Sequence, residues 1–138
     1  EIFGGSVIVI SAKIISILEG NLVDLGGISF EELVKREADE VVKAVCFSDI
    51  QAGSCFLTRK LGILIPNAGI DKSNVPHGFA VLWPKDPQKT DEALRETLLK
   101  EFGIENLGVI IADSRVTPGR RGTTGIAIAW SGFIGVAE

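Results

Sequence analysis

The stretch that most constrains the fold is Leu107–Trp130, in which two apolar runs flank a loop rich in glycine and arginine. The first run, Val109–Ile111, consists of β-branched residues and predicts a buried strand. We expect this strand to end at Asp113 and Ser114, a carboxylate followed by a hydroxyl. The second run, Ile126–Trp130, predicts another strand after the loop. Two strands should therefore hold the loop between them.

This loop combines glycine-rich backbone with positive charge. It contains Pro118, Gly119, Gly122, Arg115, Arg120 and Arg121. A carboxylate at the end of a buried strand can hold a hard cation, while backbone N–H groups and guanidinium groups can face phosphate oxygens. The stretch thus predicts a metal–phosphate site. An alternative stays open, in which Asp113 only caps a strand and the arginines are solvated.

Length and composition favour one globular domain over residues 1–138. A chain of 138 residues can bury a real core, and 46% hydrophobic against 23% charged residues excludes a disordered chain. The formal net charge of −4 argues against a nucleic-acid-binding protein. The two cysteines, Cys46 and Cys55, are too few for a secreted disulfide framework, so we expect free thiols and a cytoplasmic protein, with a bridge between them as the open alternative.

Neither a membrane span nor a signal peptide is predicted. The longest apolar stretch, Gly125–Ala137, is too short and too rich in glycine to cross a bilayer. The chain begins at Glu1 and contains no methionine. We therefore expect it to be an internal or N-terminal fragment of a longer domain.

Apolar periodicity predicts an α+β fold with a mixed β-sheet and two main helices. The first helix is predicted at Ser29–Val45, where Ser29 and Glu32 form a capping box. The second should begin at Asp86-Pro87 and end at Gly103. Its buried stripe is predicted to comprise Ala93, Leu94, Leu98 and Phe102. Further strands are predicted at Ser6–Ile10 and Phe79–Trp83, with a hairpin within Ser54–Ile65 that turns around Arg59-Lys60.

Two further positions carry chemical groups. Lys13 follows a predicted strand, where an ammonium group usually finds an anionic partner, although snorkelling to solvent is an alternative. The loop Pro66–Val75 contains Asp71, Asn74 and other short polar side chains between two predicted strands. Such loops often carry function, but Asn and Asp also favour ordinary turns.

Several common catalytic motifs are missing from the sequence. It contains no phosphate-binding Walker loop, no dinucleotide-binding glycine motif, no Cys-x-x-Cys pair and no His-Glu-x-x-His motif. A serine hydrolase triad would have to use His77, the single histidine, and no nucleophile elbow accompanies it. The single histidine and the missing nucleophile elbow therefore argue against a serine hydrolase that uses a catalytic triad.

Four blocks together resemble the coenzyme F-420-0:L-glutamate ligases, also called F-420-0 γ-glutamyl ligases. They are Ser11–Ser16 with Glu19-Gly20, Asn67–Val75, Leu82–Pro87, and Asp113-Ser114 with Pro118, Arg120 and Gly122. The second block, Asn-Ala-Gly-Ile-Asp-Lys-Ser-Asn-Val, is the most specific of the four. The resemblance spans nearly the whole chain and covers an internal part of a longer family domain.

The resemblance implies a ligase that uses GTP to join L-glutamate to the terminal carboxylate of its acceptor, with magnesium or manganese and often potassium. It also implies an α+β fold in an intertwined homodimer. By this resemblance Asp71 and Asp113 would hold the divalent metal and Ser114 a second one, while Lys13 and Asn74 would contact the nucleotide. The residues themselves fit such chemistry, because phosphoryl transfer needs hard oxygen ligands and positive charge, to which Arg120 would contribute.

The chain departs from the family pattern at several positions, and its segment Val116–Arg120 stands where the family has Gly-Arg-Pro-Trp-Arg. Ile17 stands where the family usually has a lysine, Asn21 where it has an arginine, and Gly119 where it has a tryptophan. These changes leave two alternatives open. One is a γ-glutamate ligase for a folate-like acceptor. The other is a non-catalytic homologue that binds nucleotide and metal. Independently of these positions, a scaffold without any ligand is a third hypothesis.

Overall fold

In a computed structural model, which describes residues 2–46, 54–117 and 119–135, the chain folds into an α+β structure. The described residues form three helices, α1 (Ala12–Leu18), α2 (Phe30–Glu37) and α3 (Pro87–Phe102). Their strands are β1 (Ser6–Ser11), β2 (Leu22–Asp24), β3 (Glu40–Cys46), β4 (Ser54–Lys60), β5 (Ile63–Pro66), β6 (Phe79–Val81), β7 (Leu107–Val116) and β8 (Thr123–Ser131). The predicted fold class is confirmed, with the short helix α1 added to the two main ones.

The predicted mixed sheet has the order β1-β7-β8. Strand β1 pairs parallel with β7, and β7 pairs antiparallel with β8. The register between β7 and β8 shifts at Ile111/Ala112, where Ile128 of β8 is left without a partner. Two antiparallel sheets complete the fold, one of order β3-β4-β5 and one formed by β2 and β6.

Helix α3 begins and ends where the sequence predicts. The Asp86 carboxylate accepts a hydrogen bond from the Lys89 amide at 3.1 Å, and Gly103 adopts a left-handed conformation after the last turn. The predicted stripe is wrong at Ala93 and Phe102, which are exposed. The buried side is rotated because the helix packs on β7 and β8 through positions 87, 91, 94 and 98, which follow helical spacing.

The helix predicted at Ser29–Val45 is half as long as expected. Its start is confirmed, because the Ser29 hydroxyl accepts from the Glu32 amide at 3.2 Å and the Glu32 carboxylate accepts from the Ser29 amide at 3.0 Å. Helix α2 ends at Glu37, and the valine-rich segment that follows pairs with β4 as strand β3. Valines at helical spacing also suit a strand, and cross-strand pairing decided between the two.

The predicted hairpin is confirmed as β4 and β5, but its turn lies two residues later than expected. Leu61 and Gly62 form it, with φ of 51° and 74°. A two-residue turn with both φ values positive matches the twist of the flanking strands. The Asp39 carboxylate accepts a hydrogen bond from the Leu61 amide at 2.7 Å and holds this strained residue in place.

Two apolar clusters form the core of the described residues. One joins helix α1 to the mixed sheet and contains Trp83, Ile111 and Ile128. The other places α2 against β4 and includes the fully buried Leu33 and Val34. Each large side chain buried in this way stabilises the fold by roughly 1.5–3 kcal/mol. Ala68 and Ile70 belong to the second cluster, so packing anchors the segment that leads to Asp71.

Candidate active site

Asp71, in the segment after β5, and Asp113, on β7, line the same open cleft. The cleft has a volume of about 280 Å³ and is also lined by Ser73, Ser114 and Arg115. A smaller recess beside it is lined by Lys13, Trp83 and the same two aspartates. The structure thus brings together four of the residues predicted from the sequence: Lys13, Asp71, Asp113 and Ser114.

An unusual backbone segment leads into Asp71. Asn67, Ala68 and Gly69 all have positive φ, at 54°, 54° and 72°. A non-glycine residue in this left-handed region costs roughly 1–3 kcal/mol and persists only where its surroundings enforce it. The Asp71 backbone then pairs with Val81 of β6 through two hydrogen bonds of 3.0 and 2.8 Å. Asp71 is therefore fixed by sheet hydrogen bonds directly after the strained turn.

Buried hydrogen bonds from β4 enforce this turn. The fully buried Thr58 hydroxyl accepts from the Ala68 amide at 2.8 Å and donates to the Ile65 carbonyl at 2.5 Å. The Asn67 side chain accepts from the Phe56 amide at 2.9 Å. Asparagine is among the residues that best tolerate left-handed backbone. The first half of the Asn-Ala-Gly-Ile-Asp block thus has a structural role.

Lys13 lies in the first turn of α1 and pairs with Asp71. Its Nζ is 2.6 Å from Asp71 Oδ2 and also donates to the carbonyl and the hydroxyl of Ser73, at 3.0 Å each. The Ser73 amide donates to Asp71 Oδ1 at 2.6 Å. Burial raises the pKa of Asp71, but these hydrogen bonds from Lys13 and Ser73 outweigh it, so the net pKa lies below its usual range. Of the two alternatives for Lys13, an anionic partner and snorkelling to solvent, the structure shows the anionic partner.

Asp113 lies within β7, which continues to Val116, so the prediction that the strand ends at Asp113 and Ser114 is wrong. Antiparallel pairing with β8 carries the ladder past the polar residues. Asp113 Oδ2 accepts from Trp83 Nε1 at 2.6 Å, and Oδ1 accepts from the Ser114 amide at 2.8 Å. Burial raises the pKa of Asp113, as does the charge of Asp71, and the hydrogen bonds offset this rise only in part.

A divalent cation would stabilise both carboxylates in their charged form. Magnesium is typically held by one or two carboxylates, with waters and substrate phosphates completing six oxygen ligands. Within the described parts of the chain, no group of three or more His, Cys, Asp or Glu side chains converges. Asp71, Asp113 and the nearby hydroxyls therefore suit an oxygen-bound ion shared with a phosphate better than a closed zinc site.

Arg120 and Asn74 lie apart from this group. Arg120 is exposed in the turn after β7, where its amide donates to the Thr117 carbonyl at 3.3 Å, and it does not line the cleft. Asn74 is exposed, has a φ of 55° and does not line the cleft either. Arg115 is the arginine that lines it, and its Nη1 donates to the Leu64 carbonyl at 3.3 Å. Pro118 lies outside the described residues.

Sequence reasoning missed the partners of the predicted residues. Trp83 and Ser73 stood inside recognised blocks, but only the folded chain places their donors on Asp113 and Asp71. The departure at Asn21 has a structural role, because this residue is 7% exposed and its amide donates to Glu19 at 2.8 Å. Ile17 is half-exposed on α1. None of these contacts leaves a signal in residue spacing.

No helix in the described part of the chain is both long enough and apolar enough to span a membrane.

Residues 1–138 match the protein family described as F420-0:Gamma-glutamyl ligase. Relatives named "Coenzyme F420:L-glutamate ligase" include proteins of Methanopyrus kandleri, 32% identical over 100% of this chain and 59% of the relative, and Methanocaldococcus jannaschii, 35% identical over 94% and 56%. A third, of Methanothermobacter thermautotrophicus, is 33% identical over 96% and 57%. The chain therefore spans somewhat more than half the length of these relatives, and it belongs to the F420-0:gamma-glutamyl ligase family.

Proposed function

We propose that this chain carries the metal- and phosphate-binding part of a ligase that uses GTP to join L-glutamate to the terminal carboxylate of coenzyme F420-0. The observation that carries the proposal is the convergence of Asp71 and Asp113 on one cleft, beside the Lys13 ammonium group. Two carboxylates and nearby cations suit a metal-bound triphosphate. The names of the relatives support the choice of glutamate and F420-0.

Asp71 and Asp113 would together hold magnesium or manganese in this proposal. The Ser114 hydroxyl, which faces the same cleft, would contribute to a second ion, and potassium would be an additional one. Bound there, a divalent cation neutralises negative charge on the transferring phosphate. Hydrogen bonds from Trp83 and Ser114 to one carboxylate, and from Ser73 to the other, would keep both ligands oriented.

The positive side chains would divide two tasks. Lys13 keeps Asp71 ionised and fixed, and we propose that it also contacts the nucleotide, as does Asn74 at the edge of the turn. Arg120 would add charge once the loop between β7 and β8 faces a phosphate. Arg115 already lines the cleft, so it is the nearer of the two arginines to that role.

The reaction proceeds through an acyl phosphate in this proposal. An oxygen of the acceptor carboxylate bonds to the terminal phosphorus of GTP, and the bond from that phosphorus to GDP breaks. The amine of L-glutamate then attacks the activated carbonyl carbon and forms the amide C–N bond. Phosphate leaves with the electron pair of the broken C–O bond, and the surplus amine proton passes to water. The cleft contributes charge neutralisation in the first step.

We also propose a homodimer. Several apolar side chains of β1 and α1 are exposed, among them Val7 at 56%, Val9 at 62% and Ile14 at 55%. Exposed apolar surface of this kind is typical of subunit interfaces. Sedimentation of the chain at several concentrations would test this part of the proposal independently of the chemistry.

Calorimetry with manganese and GTP tests the binding part of the proposal. Wild type should bind GTP only when manganese is present, and Asp113→Asn should lose this binding. Glu101→Gln, which neutralises an exposed carboxylate on α3, is the matched control and should bind as wild type does. Equal binding by wild type and Asp113→Asn would refute the proposed site.

A turnover assay with glutamate and either F420-0 or a folate then tests the reaction. A product from F420-0 supports the proposal as stated. A product from the folate alone would assign a folate-type γ-glutamate ligase instead. Metal-dependent GTP binding without any product would identify a non-catalytic homologue.

A further inference from the structure

Trp83 connects the two carboxylate-bearing segments. Its side chain is 3% exposed and packs in the same apolar cluster as Ala12 and Ile111. Its Nε1–H donates a hydrogen bond of 2.6 Å to Asp113 Oδ2. A buried indole N–H needs a partner, and here the partner is a proposed metal ligand.

The same indole lies against the backbone turn that leads to Asp71. A Cβ atom placed on Gly69 would lie 2.2 Å from Trp83 Nε1 and 2.3 Å from Cε2. Only a residue without a side chain leaves room for the ring there. Gly69 also has a φ of 72°, which glycine adopts without strain. The Trp83 ring therefore packs directly against the backbone of Gly69, in the turn before Asp71.

We infer that Trp83 is a positioning residue that sets the direction of the Asp113 carboxylate toward Asp71. The inference rests on the proposed function, because it takes Asp113 as a metal ligand. The Trp83 donor holds Oδ2 and the Ser114 amide holds Oδ1, so the carboxylate cannot rotate without losing one of them. Each oxygen keeps a further lone pair for an ion in the cleft.

Removal of the indole N–H should therefore weaken metal binding. Trp83→Phe keeps an aromatic ring in the core but cannot donate to Asp113. Residues that orient a ligand by hydrogen bonding typically contribute about 10–100-fold to metal affinity. We expect the manganese dissociation constant, measured by calorimetry without nucleotide, to rise by that factor. Trp130→Phe changes the other tryptophan and should leave the constant unaltered.

Terbium luminescence provides a second readout that does not depend on activity. Terbium is a hard ion with oxygen ligands, and an excited indole near it transfers energy to it. Excitation of tryptophan should give terbium emission in wild type and in Trp130→Phe, but not in Trp83→Phe. Because Trp130→Phe keeps the indole of interest, this readout remains valid even if Trp83→Phe fails to fold.

The outcomes separate this inference from the proposed function. Wild-type manganese affinity in Trp83→Phe, with weak binding in Asp113→Asn, would overturn the positioning role and leave the metal site standing. Terbium emission that survives in Trp83→Phe and vanishes in Trp130→Phe would also overturn it. Wild-type affinity in Asp113→Asn would refute the metal site itself, and the role of Trp83 with it.

Discussion

Asp113, a partly buried acid within the mixed sheet, and Asp91, a fully buried acid on the helix that packs against that sheet, differ in their surroundings. Burial raises the pKa of both. Asp113 has a donor on each oxygen and opens onto a cleft. Asp91, on α3, is fully buried, and neither of its oxygens has a hydrogen-bond partner of good geometry. A raised pKa alone therefore does not identify a functional acid, whereas oriented donors and an opening do.

Burial raises the pKa of Asp91 and outweighs Ser131, the Ile111 backbone and the Arg95 charge, which lower it. The Ser131 hydroxyl of β8 is buried without a hydrogen-bond partner, and it favours the charged form of Asp91 only weakly against the effect of burial. An uncompensated buried polar group typically costs about 1–3 kcal/mol. Buried Asp91 therefore lowers the stability of the fold, whereas two hydrogen bonds orient the carboxylate of Asp113.

The largest effect should come from Gly69→Ala, which would leave Asp113, like Asp91, with an oxygen that lacks a hydrogen-bond donor. The new Cβ would collide with the Trp83 ring and displace its donor from Asp113. Backbone strain and overpacking together predict a loss of about 2–5 kcal/mol in the free energy of unfolding, measured with urea. Gly20→Ala has nearly the same φ, 73°, and no atom within 4 Å, so it should cost only the strain. Equal losses in both variants would contradict the role of the ring.

Asp113→Asn should separate function from stability. We expect manganese affinity to fall by more than the roughly 10–100-fold typical for loss of a residue that only orients a ligand. The free energy of unfolding should change by less than about 2 kcal/mol at neutral pH, because the removal of a partly buried charge offsets the loss of the one hydrogen bond that the amide nitrogen cannot accept. Calorimetry and urea unfolding of the same sample measure both quantities. A large loss of stability with unchanged manganese affinity would assign Asp113 to the fold alone.

Asp91→Asn should change stability and leave manganese affinity unaltered. We expect it to stabilise the fold by about 1–3 kcal/mol at neutral pH. The folded-state pKa of Asp91 lies above the ordinary value of 3.8, so the folded protein binds its proton more tightly than the unfolded chain does. This contribution is fully present below pH 3.8 and is lost as the pH rises through the raised pKa. The difference between variant and wild type in urea unfolding should therefore grow with pH above 3.8, while manganese affinity stays constant. If the difference in unfolding free energy between Asp91→Asn and wild type did not vary with pH, the raised pKa of Asp91 would be contradicted.

The smallest effect is expected for Ser131→Ala. Loss of the hydroxyl removes a weak stabiliser of charged Asp91, and it also removes a buried polar atom that has no partner. These two terms oppose each other, so the free energy of unfolding should shift by less than about 1 kcal/mol. Urea unfolding in the Asp91→Asn background provides the control, since there the first term is absent. A loss of several kcal/mol would indicate a hydrogen bond between the two side chains.

Local signals in the sequence sufficed for those parts of the fold that local chemistry determines. The capping box at Ser29 and the left-handed stop at Gly103 depend on neighbours along the chain, and both predictions are confirmed. The end of α2 at Glu37 could not be found in this way, because valine spacing fits a helix and a strand equally well. Only pairing with β4 distinguishes them.

In the candidate site, too, some residues could be predicted from the local sequence and others only from the folded structure. Lys13 and Asp113 could be selected because each follows an apolar run, whereas the role of Asp71 was predicted from the resemblance of its polar loop to the family, and the fold brings all three together. Arg115 could not be preferred over Arg120, because the path of the loop decides which arginine reaches the cleft. Trp83 looked like one more core residue, and only tertiary structure assigns its single donor to Asp113. The catalytic and ligand-binding roles of all these residues stay predictions.

The unpaired residue Ile128 has a consequence for any attempt to redesign strand β8. Side chains alternate between the two faces of a strand, and one extra residue reverses that alternation. Ile128 and Ala129 are both buried although they are adjacent, which is the mark of this reversal. Deletion of Ile128 would restore a regular ladder and leave the pairs of Ile111 with Ala129 and of Ala112 with Ala127 unchanged, so every side chain from Thr123 to Ala127 would keep its face. Deletion of any residue between Thr123 and Ala127 instead would shift the pairing by one and exchange inside for outside on the far side of the deletion.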